Sequence, residues 1–339
     1  AKLVEMQQEL IKRVSEEPFE ECKELFLDRL KLKYCGEVSD KCYEKELRAL
    51  FIKIIYPKVY NKESQKEIEH KVVFMEKGTA LSPSLTYMRN YVKKNTDYAI
   101  KEFALQKTKG GNSEIGNYIY YFDKKIKNII YQEDIDNEDL IRAKEFIKEI
   151  ATAKAVFICT ANDLMGYFEL RPETKYIQLW HGCGAFKKVG LSTIDKKFGK
   201  SAASHKEYPL NTNYSYVTIA SPEVSWIFEE SMGIDKEAGI IVPTGISRTD
   251  EFFDAEYRKR CYEKIHEIIP QTKEKKIILY APTFRGSVAG AVSPDKLDVE
   301  KFYNAFHDEY ILIFKHHQVA RTIPEIPEKY KDSFAFDMT

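Results

Sequence analysis

Ala155-Val-Phe-Ile-Cys159 and Tyr176-Ile-Gln-Leu179 are short apolar runs, and the second leads directly into Trp180-His-Gly-Cys-Gly184. Runs of this length, bounded by turn residues and separated by amphipathic stretches, read as strands of a parallel sheet buried on both faces. The pattern continues in both directions. Upstream stand Val72-Val-Phe-Met75 and the run from Tyr98 to Leu105, with helical spacing from Ser84 to Lys94 and from Asn137 to Thr152. Downstream, Tyr216-Val-Thr-Ile-Ala220, Gly239-Ile-Ile-Val242, Lys276-Ile-Ile-Leu-Tyr280 and Tyr310-Ile-Leu-Ile-Phe314 alternate with helices near Pro222 to Met232, Asp250 to Ile269 and Val299 to His307. Such alternation is the signature of βαβ units, so the fold class is α/β.

A chain of 339 residues favours two domains over one. The polar segment Asp195 to Asn213 reads as the linker. The expected division is a helical N-terminal extension over 1–69, a Rossmann-like domain over 70–200 and a second Rossmann-like domain over 201–339. In the extension, Leu47, Leu50, Phe51, Ile54 and Ile55 recur at helical spacing. The face around Phe51-Ile-Lys-Ile-Ile-Tyr56 either docks on a membrane or partner or packs on the domain that follows, and packing is the commoner outcome. Gly286 to Pro294, rich in Gly, Ala and Ser, is the one locally flexible stretch.

Lys+Arg and Asp+Glu are both 53, so no overall field draws the chain to nucleic acid or to an anionic surface, and anion binding must be local. The six cysteines form no CxxC pair, which argues against a disulfide scaffold or a zinc site and for a reducing, cytoplasmic setting. The N-terminal stretch lacks the apolar core of a signal peptide, and no apolar run is long enough to span a bilayer. The chain is therefore expected to be soluble or only peripherally bound to a membrane.

In open α/β sheets ligands bind beyond the carboxyl ends of the strands, and the candidate residues cluster there. His181 follows a strand, and histidine as a residue type is suited to take a proton from a hydroxyl because the unperturbed imidazole titrates near neutral pH. Gly182 and Gly184 let backbone N–H groups approach an anion. Lys187 and Lys188 then fall on what reads as the first turn of a helix, a favourable place for phosphate. Arg285 ends another strand through a Pro-Thr turn, where a guanidinium can grip a phosphate with two bonds or simply form a surface ion pair. Arg248 and Asp250 stand at a strand-to-helix turn, and Asp250 either binds ligand or caps the helix that follows. His316 and His317 are adjacent in a strand-like run, so only one can face a ligand.

The spelling of these segments resembles the CDP-glycerol:glycerophosphotransferase family of teichoic-acid and capsule synthesis, which includes CDP-ribitol users. Trp180-His-Gly-Cys-Gly-Ala-Phe-Lys-Lys188 is similar to the family's central signature. Thr244-Gly-Ile-Ser-Arg-Thr-Asp250 resembles a Gly-x-Pro-Arg-x-Asp element with Ser247 in place of proline. Tyr280-Ala-Pro-Thr-Phe-Arg285 resembles Tyr-Ala-Pro-Thr-Trp-Arg, and Phe314-Lys-His-His317 resembles Lys-x-His-Pro with Gln318 in place of proline. The resemblance runs from about Val72 to Phe336.

It implies a glycosyltransferase-B-like fold of two Rossmann-like domains, the first carrying the acceptor side and the second the nucleotide. It implies an enzyme that passes glycerol phosphate or ribitol phosphate from a CDP-activated donor to a hydroxyl of a polymer or a lipid-linked precursor, releasing CMP. The catalytic set it implies is His181, His317 and Arg285. Trp180, Gly182, Gly184, Lys187, Lys188, Gly245, Arg248, Asp250, Thr283, Lys315 and His316 would bind substrate. No metal ligands are assigned, although phosphoryl chemistry leaves room for a divalent ion. Family members continue with an Asp-Tyr-Ser-Ser-like segment and closing helices, so the second domain is expected to lack its C-terminal end at Thr339. The rival readings are a nucleotide-sugar glycosyltransferase of the same fold and a non-catalytic protein of surface-polymer assembly.

Overall fold

A computed structural model describes residues 2–17, 19–76, 80–104, 137–162, 164–184, 187–196, 199, 201–207, 209–286, 290–317 and 320–339. Ala185, Phe186 and Gln318 of the quoted motifs, Leu105 and part of the Gly286 to Pro294 stretch lie outside the described residues.

The chain divides into two compact units, residues 1–250 and 251–339. The first is built on a parallel sheet of six strands: β1 (Lys71–Glu76), β2 (Ala99–Ala104), β3 (Ala155–Ile158), β4 (Lys175–Gln178), β5 (Tyr216–Thr218) and β6 (Ile241–Val242). Their order is β2-β1-β3-β4-β5-β6, all parallel, so the order in which the chain adds strands reverses between β1 and β3. Such a reversal opens a crevice at the carboxyl ends of the two strands that flank it.

Every residue of β1 is buried, as a central parallel strand requires. Alternate side chains serve opposite layers. Val72 and Phe74 pack with Leu85 and Val92 of α5 (Pro83–Asn95), while Val73 and Met75 face the N-terminal helices and α6 (Asn137–Ile150). Those N-terminal helices are α1 (Lys2–Glu16), α2 (Phe19–Tyr34), α3 (Asp40–Leu50) and α4 (Tyr56–Glu63), the last two joined by a π-helical turn, Phe51–Ile55. In that turn the Tyr56 N–H reaches back to the Phe51 carbonyl, just before Pro57, which has no N–H to donate.

Phe51 and Ile55 are 1 % and 0 % exposed, and Ile54 packs against the same core. The Phe19 ring meets the rings of Phe26 and Phe51 edge to face at 5.7 and 5.8 Å. The face offered as a docking surface is therefore interior: its apolar side chains complete the core over the sheet. Among the described residues no helix is long and apolar enough to cross a membrane.

The second unit holds a parallel sheet of three strands, β7 (Lys276–Tyr280), β8 (Tyr310–Phe314) and β9 (Ala335–Asp337), in the order β7-β8-β9. Helices α7 (Ala202–Glu207) and α8 (Ser225–Met232) belong to the first unit; in the second, α9 (Ala255–Ile268) and the residue after it supply Ile265 and Ile269 to one face, against Ile311, Ile313 and Phe336. Helix α10 (Val299–Phe306) packs Val299, Phe302 and Tyr303 on the other, against Leu312 and Phe314.

The expected boundary at 200/201 is corrected to 250/251. Strand β5 pairs with β4, Ile177 beside Tyr216, and β6 pairs with β5, Val217 beside Ile241, so both extend the first sheet. The Asp195 to Asn213 segment is not a linker. It carries a short helix, Ala202–Glu207, and the Asn213 amide donates to the carbonyls of Met165 and Phe168 at 2.6 and 2.7 Å, tying the segment into the first unit.

Candidate active site

Three neighbouring strands of the first unit end in polar residues. Glu76 closes β1, Cys159 and Thr160 follow β3, and Gln178 closes β4 just before Trp180 and His181. His181 Nδ1 lies 2.8 Å from the Cys159 carbonyl oxygen. A carbonyl only accepts, so Nδ1 carries the proton and donates it, and in the neutral ring Nε2 keeps its lone pair. The side chain is exposed, so that lone pair is available to a proton donor from outside.

Trp180 takes a left-handed backbone conformation at φ 56°, a strained choice for a residue with a side chain. It is held there from several sides. Its N–H donates to Gln178 Oε1 at 3.0 Å, and its ring meets Phe228 edge to face at 5.4 Å. Its centroid also lies 4.6 Å from that of the His181 ring. Gly182 sits against the indole, where an added Cβ would lie 3.3 Å from Trp180 Nε1.

Arg248 belongs to the same group. Its Nη1 donates to the His181 carbonyl oxygen at 3.1 Å, while neighbouring Ser247 Oγ donates to the Ser84 carbonyl at 2.9 Å. Gly245 makes this approach with φ 91°, and its N–H donates to Ile219 O. The Thr244–Asp250 element thus lies in the same unit as His181, not in a separate nucleotide-side domain. Asp250 is exposed and does not cap the next helix: Asp254 does, accepting from the Tyr257 N–H at 2.9 Å. Lys187 and Lys188 are exposed but not helical. The next helical turn is a short 3-10 segment, Gly190–Thr193, so the expected phosphate site at a helix start is not formed by these lysines.

In the second unit, Thr283 and Arg285 follow β7, and Lys315, His316 and His317 follow β8 beside it. Thr283, Arg285 and His317 are exposed, and the His317 ring meets Phe284 at 4.9 Å, edge to face. Arg285 is fixed by a two-way backbone pairing with Val292, and its Nη1 donates to the Phe284 carbonyl at 3.2 Å. Lys315 Nζ donates to the Met338 carbonyl, which turns it toward the end of β9. His316 is 3 % exposed, with Nδ1 2.6 Å from Ser293 Oγ and its ring stacked on Phe314. Buried in this way it packs the unit, and of the two adjacent histidines it is His317 that is exposed.

Glu76, Cys159, Thr160 and Gln178 join this strand-end cluster without a motif that marks them. The available signal was a polar residue at the end of an otherwise apolar run, as in Val72-Val-Phe-Met-Glu76. Among the described residues no three or more His, Cys, Asp or Glu side chains gather to hold a metal ion.

The chain matches the family model described as CDP-Glycerol:Poly(glycerophosphate) glycerophosphotransferase over residues 69–339. It is 38 % identical over 173 residues to the teichoic acid ribitol-phosphate primase of Bacillus spizizenii, covering 50 % of this chain and 43 % of that protein. It is 29 % identical over 235 residues to the teichoic acid ribitol-phosphate polymerase TarK of Staphylococcus aureus, covering 65 % of this chain and 44 % of that protein. It spans less than half the length of either relative. Its fold is similar to that of the wall teichoic acid polymerase TagF, with a TM-score of 0.56 at 18 % identity over 89 % of this chain and 71 % of that one. With the family's model matched from just before β1 to the last residue, the chain belongs to the CDP-glycerol:poly(glycerophosphate) glycerophosphotransferase family.

Proposed function

We propose that this protein transfers a polyol phosphate, glycerol phosphate or ribitol phosphate, from a CDP-activated donor to a hydroxyl of a teichoic-acid or capsule chain or its lipid-linked precursor. The observation that carries the reading is His181: exposed at a strand end, with Nδ1–H committed to the Cys159 carbonyl and Nε2 left to accept a proton. The acceptor hydroxyl gives its proton to Nε2 as its oxygen attacks the phosphorus that bears the polyol. The bond from that phosphorus to the CMP oxygen breaks, and CMP leaves with the electron pair. In the second unit, Arg285 and His317, both exposed after adjacent strands, are suited to hold phosphoryl oxygens of the donor, and Thr283, also exposed after β7, offers a hydroxyl.

In this reading the units are the two Rossmann-like halves of a glycosyltransferase-B-like enzyme, with the acceptor handled by the first and the nucleotide by the second. A parallel sheet in each unit and the likeness to TagF, one structure of which was soaked with CDPG at a TM-score of 0.57, support it. Contact with the cytoplasmic face of a membrane, where a lipid-linked acceptor would reside, belongs to the same reading. Phe51 and Ile55 are not the surface that makes it, since both are buried.

The test is to incubate the protein with CDP-glycerol, CDP-ribitol and UDP-sugars in the presence of a polyol-phosphate acceptor and to follow nucleotide release. CMP release that depends on acceptor is expected. UDP release without CMP would turn the reading to a glycosyltransferase, and absence of both to a binding role.

A further inference from the structure

The buried carboxylate of Glu76 has no part in the reaction as described. It is the last residue of β1, at the point where the sheet order reverses, and it is 7 % exposed, too enclosed to meet a substrate. A carboxylate in such a place is costly unless its oxygens are hydrogen-bonded. Both are: Oε2 accepts from the Cys159 thiol at 3.1 Å and Oε1 from the Thr160 hydroxyl at 3.2 Å. Those two residues carry the backbone groups on which the next strand end depends. The Cys159 carbonyl receives His181 Nδ1–H at 2.8 Å, and the Thr160 carbonyl receives Gln178 Nε2–H at 3.3 Å. Gln178 then holds the Trp180 N–H, and with it the strained left-handed residue that sets the direction of the histidine.

We propose that Glu76 is a positioning residue for His181, acting through the Cys159–Thr160 segment. The inference rests on the reading of His181 as the base. A carboxylate suits the task because it only accepts, and it has one oxygen for each of two adjacent donors. The donors are dependable. Burial first, and then the charge of Glu76, push the Cys159 thiol up to about 12, so it stays protonated throughout the working range. Ser82 Oγ lies 2.8 Å from the same sulfur, closing the cluster on its other side. A polar cluster satisfied in this manner is rigid, and rigidity is what a general base needs, since a misplacement of about 1 Å can cost about a hundredfold in rate.

The experiment compares the intact chain with Glu76→Gln, His181→Ala and the double variant. It measures kcat and KM for the CDP-polyol that supports CMP release, and thermal stability in parallel. Gln keeps the size of the side chain but places an N–H₂ group against one of the two donors. Glu76→Gln is expected to lower kcat by about tenfold to a hundredfold with KM for the donor unchanged. On the His181→Ala background it should lower the residual rate by less than about twofold, because there is no longer an imidazole to position. Equal losses in the two backgrounds, or a wild-type kcat in Glu76→Gln, overturn the proposal while leaving the base assignment intact. If His181→Ala itself retains the wild-type rate, the base reading falls and takes this role with it. Should Glu76→Gln fail to fold, Thr160→Val removes one of the two donors, and the same dependence on His181, or its absence, decides.

Discussion

His181 in the first unit and His316 in the second are held in the same way and serve different ends. Each follows a parallel strand and has Nδ1 in a close hydrogen bond, to the Cys159 carbonyl at 2.8 Å and to Ser293 Oγ at 2.6 Å. One is exposed; the other is 3 % exposed and stacked on Phe314. A fixed imidazole is therefore not by itself a catalytic sign. What separates the two is whether the second ring nitrogen can reach anything outside the protein. At the second strand end that access belongs to His317, one residue on, because consecutive side chains of an extended chain point to opposite sides.

The largest effect expected from this contrast is at His181. His181→Ala should lower acceptor-dependent CMP release by at least about a hundredfold while leaving the melting temperature near that of the intact protein. A variant within about threefold of the wild-type rate would end its assignment as the base.

The neighbouring pair sharpens the comparison. His316→Ala leaves a cavity and a buried Ser293 hydroxyl without its partner, and should cost roughly 2–3 kcal/mol of stability in denaturant unfolding. His317→Ala should leave stability within about 0.5 kcal/mol of wild type and act on the transfer rate instead. Equal stability losses in both would erase the distinction between packed and exposed histidine.

Arg285→Lys asks whether the second strand end recognises phosphate by shape as well as charge. An ammonium cannot reproduce a two-pronged grip, so kcat/KM for the CDP donor should fall about tenfold with the charge retained. Unchanged donor kinetics would place Arg285 outside the site.

The smallest effect is expected at Glu46 of α3, which accepts from Lys33 Nζ and Tyr34 Oη of α2, each at 2.6 Å. Burial alone would raise its carboxyl, but the bonds from Lys33 and Tyr34 and the charges of Lys33 and Arg29 outweigh it and hold the group below its ordinary 4.5. A depressed carboxyl stabilises the fold above its unfolded value and loses that contribution as pH falls through the folded one. Glu46→Gln should therefore cost about 1 kcal/mol near neutral pH, and the gap to wild type should narrow as pH falls below the ordinary 4.5 and through the lower folded-state value. A gap that persists in acid would assign the effect to packing rather than charge.

The same contrast shows what could be learned before any coordinates. The strand candidates from Val72 to Phe314 were legible because each is an apolar run of fixed short length, and β1 through β8 stand where those runs do. Their assignment to sheets was not legible. Tyr216-Val-Thr and Ile241-Val242 look like the strands of either unit, since an apolar run records burial and not which edge it joins, and so the boundary was expected some fifty residues too early. The same limit made Phe51 and Ile55 ambiguous, because an amphipathic helix has one apolar face whether a membrane or a core covers it.

By itself, the sequence determined that the fold is parallel α/β, that the chemistry-bearing residues stand at strand ends, and which family's motifs they spell, because all three are written in local order. Only the tertiary structure decided that Arg248 reaches the His181 carbonyl, that His316 is buried while His317 is exposed, and that Glu76 holds the residues behind His181. The physical reason is that these are relations between residues remote in the chain or differing only in the face they present. A one-residue shift in a strand turns a side chain from core to solvent, and a hydrogen bond between strand ends leaves no periodic trace in either strand.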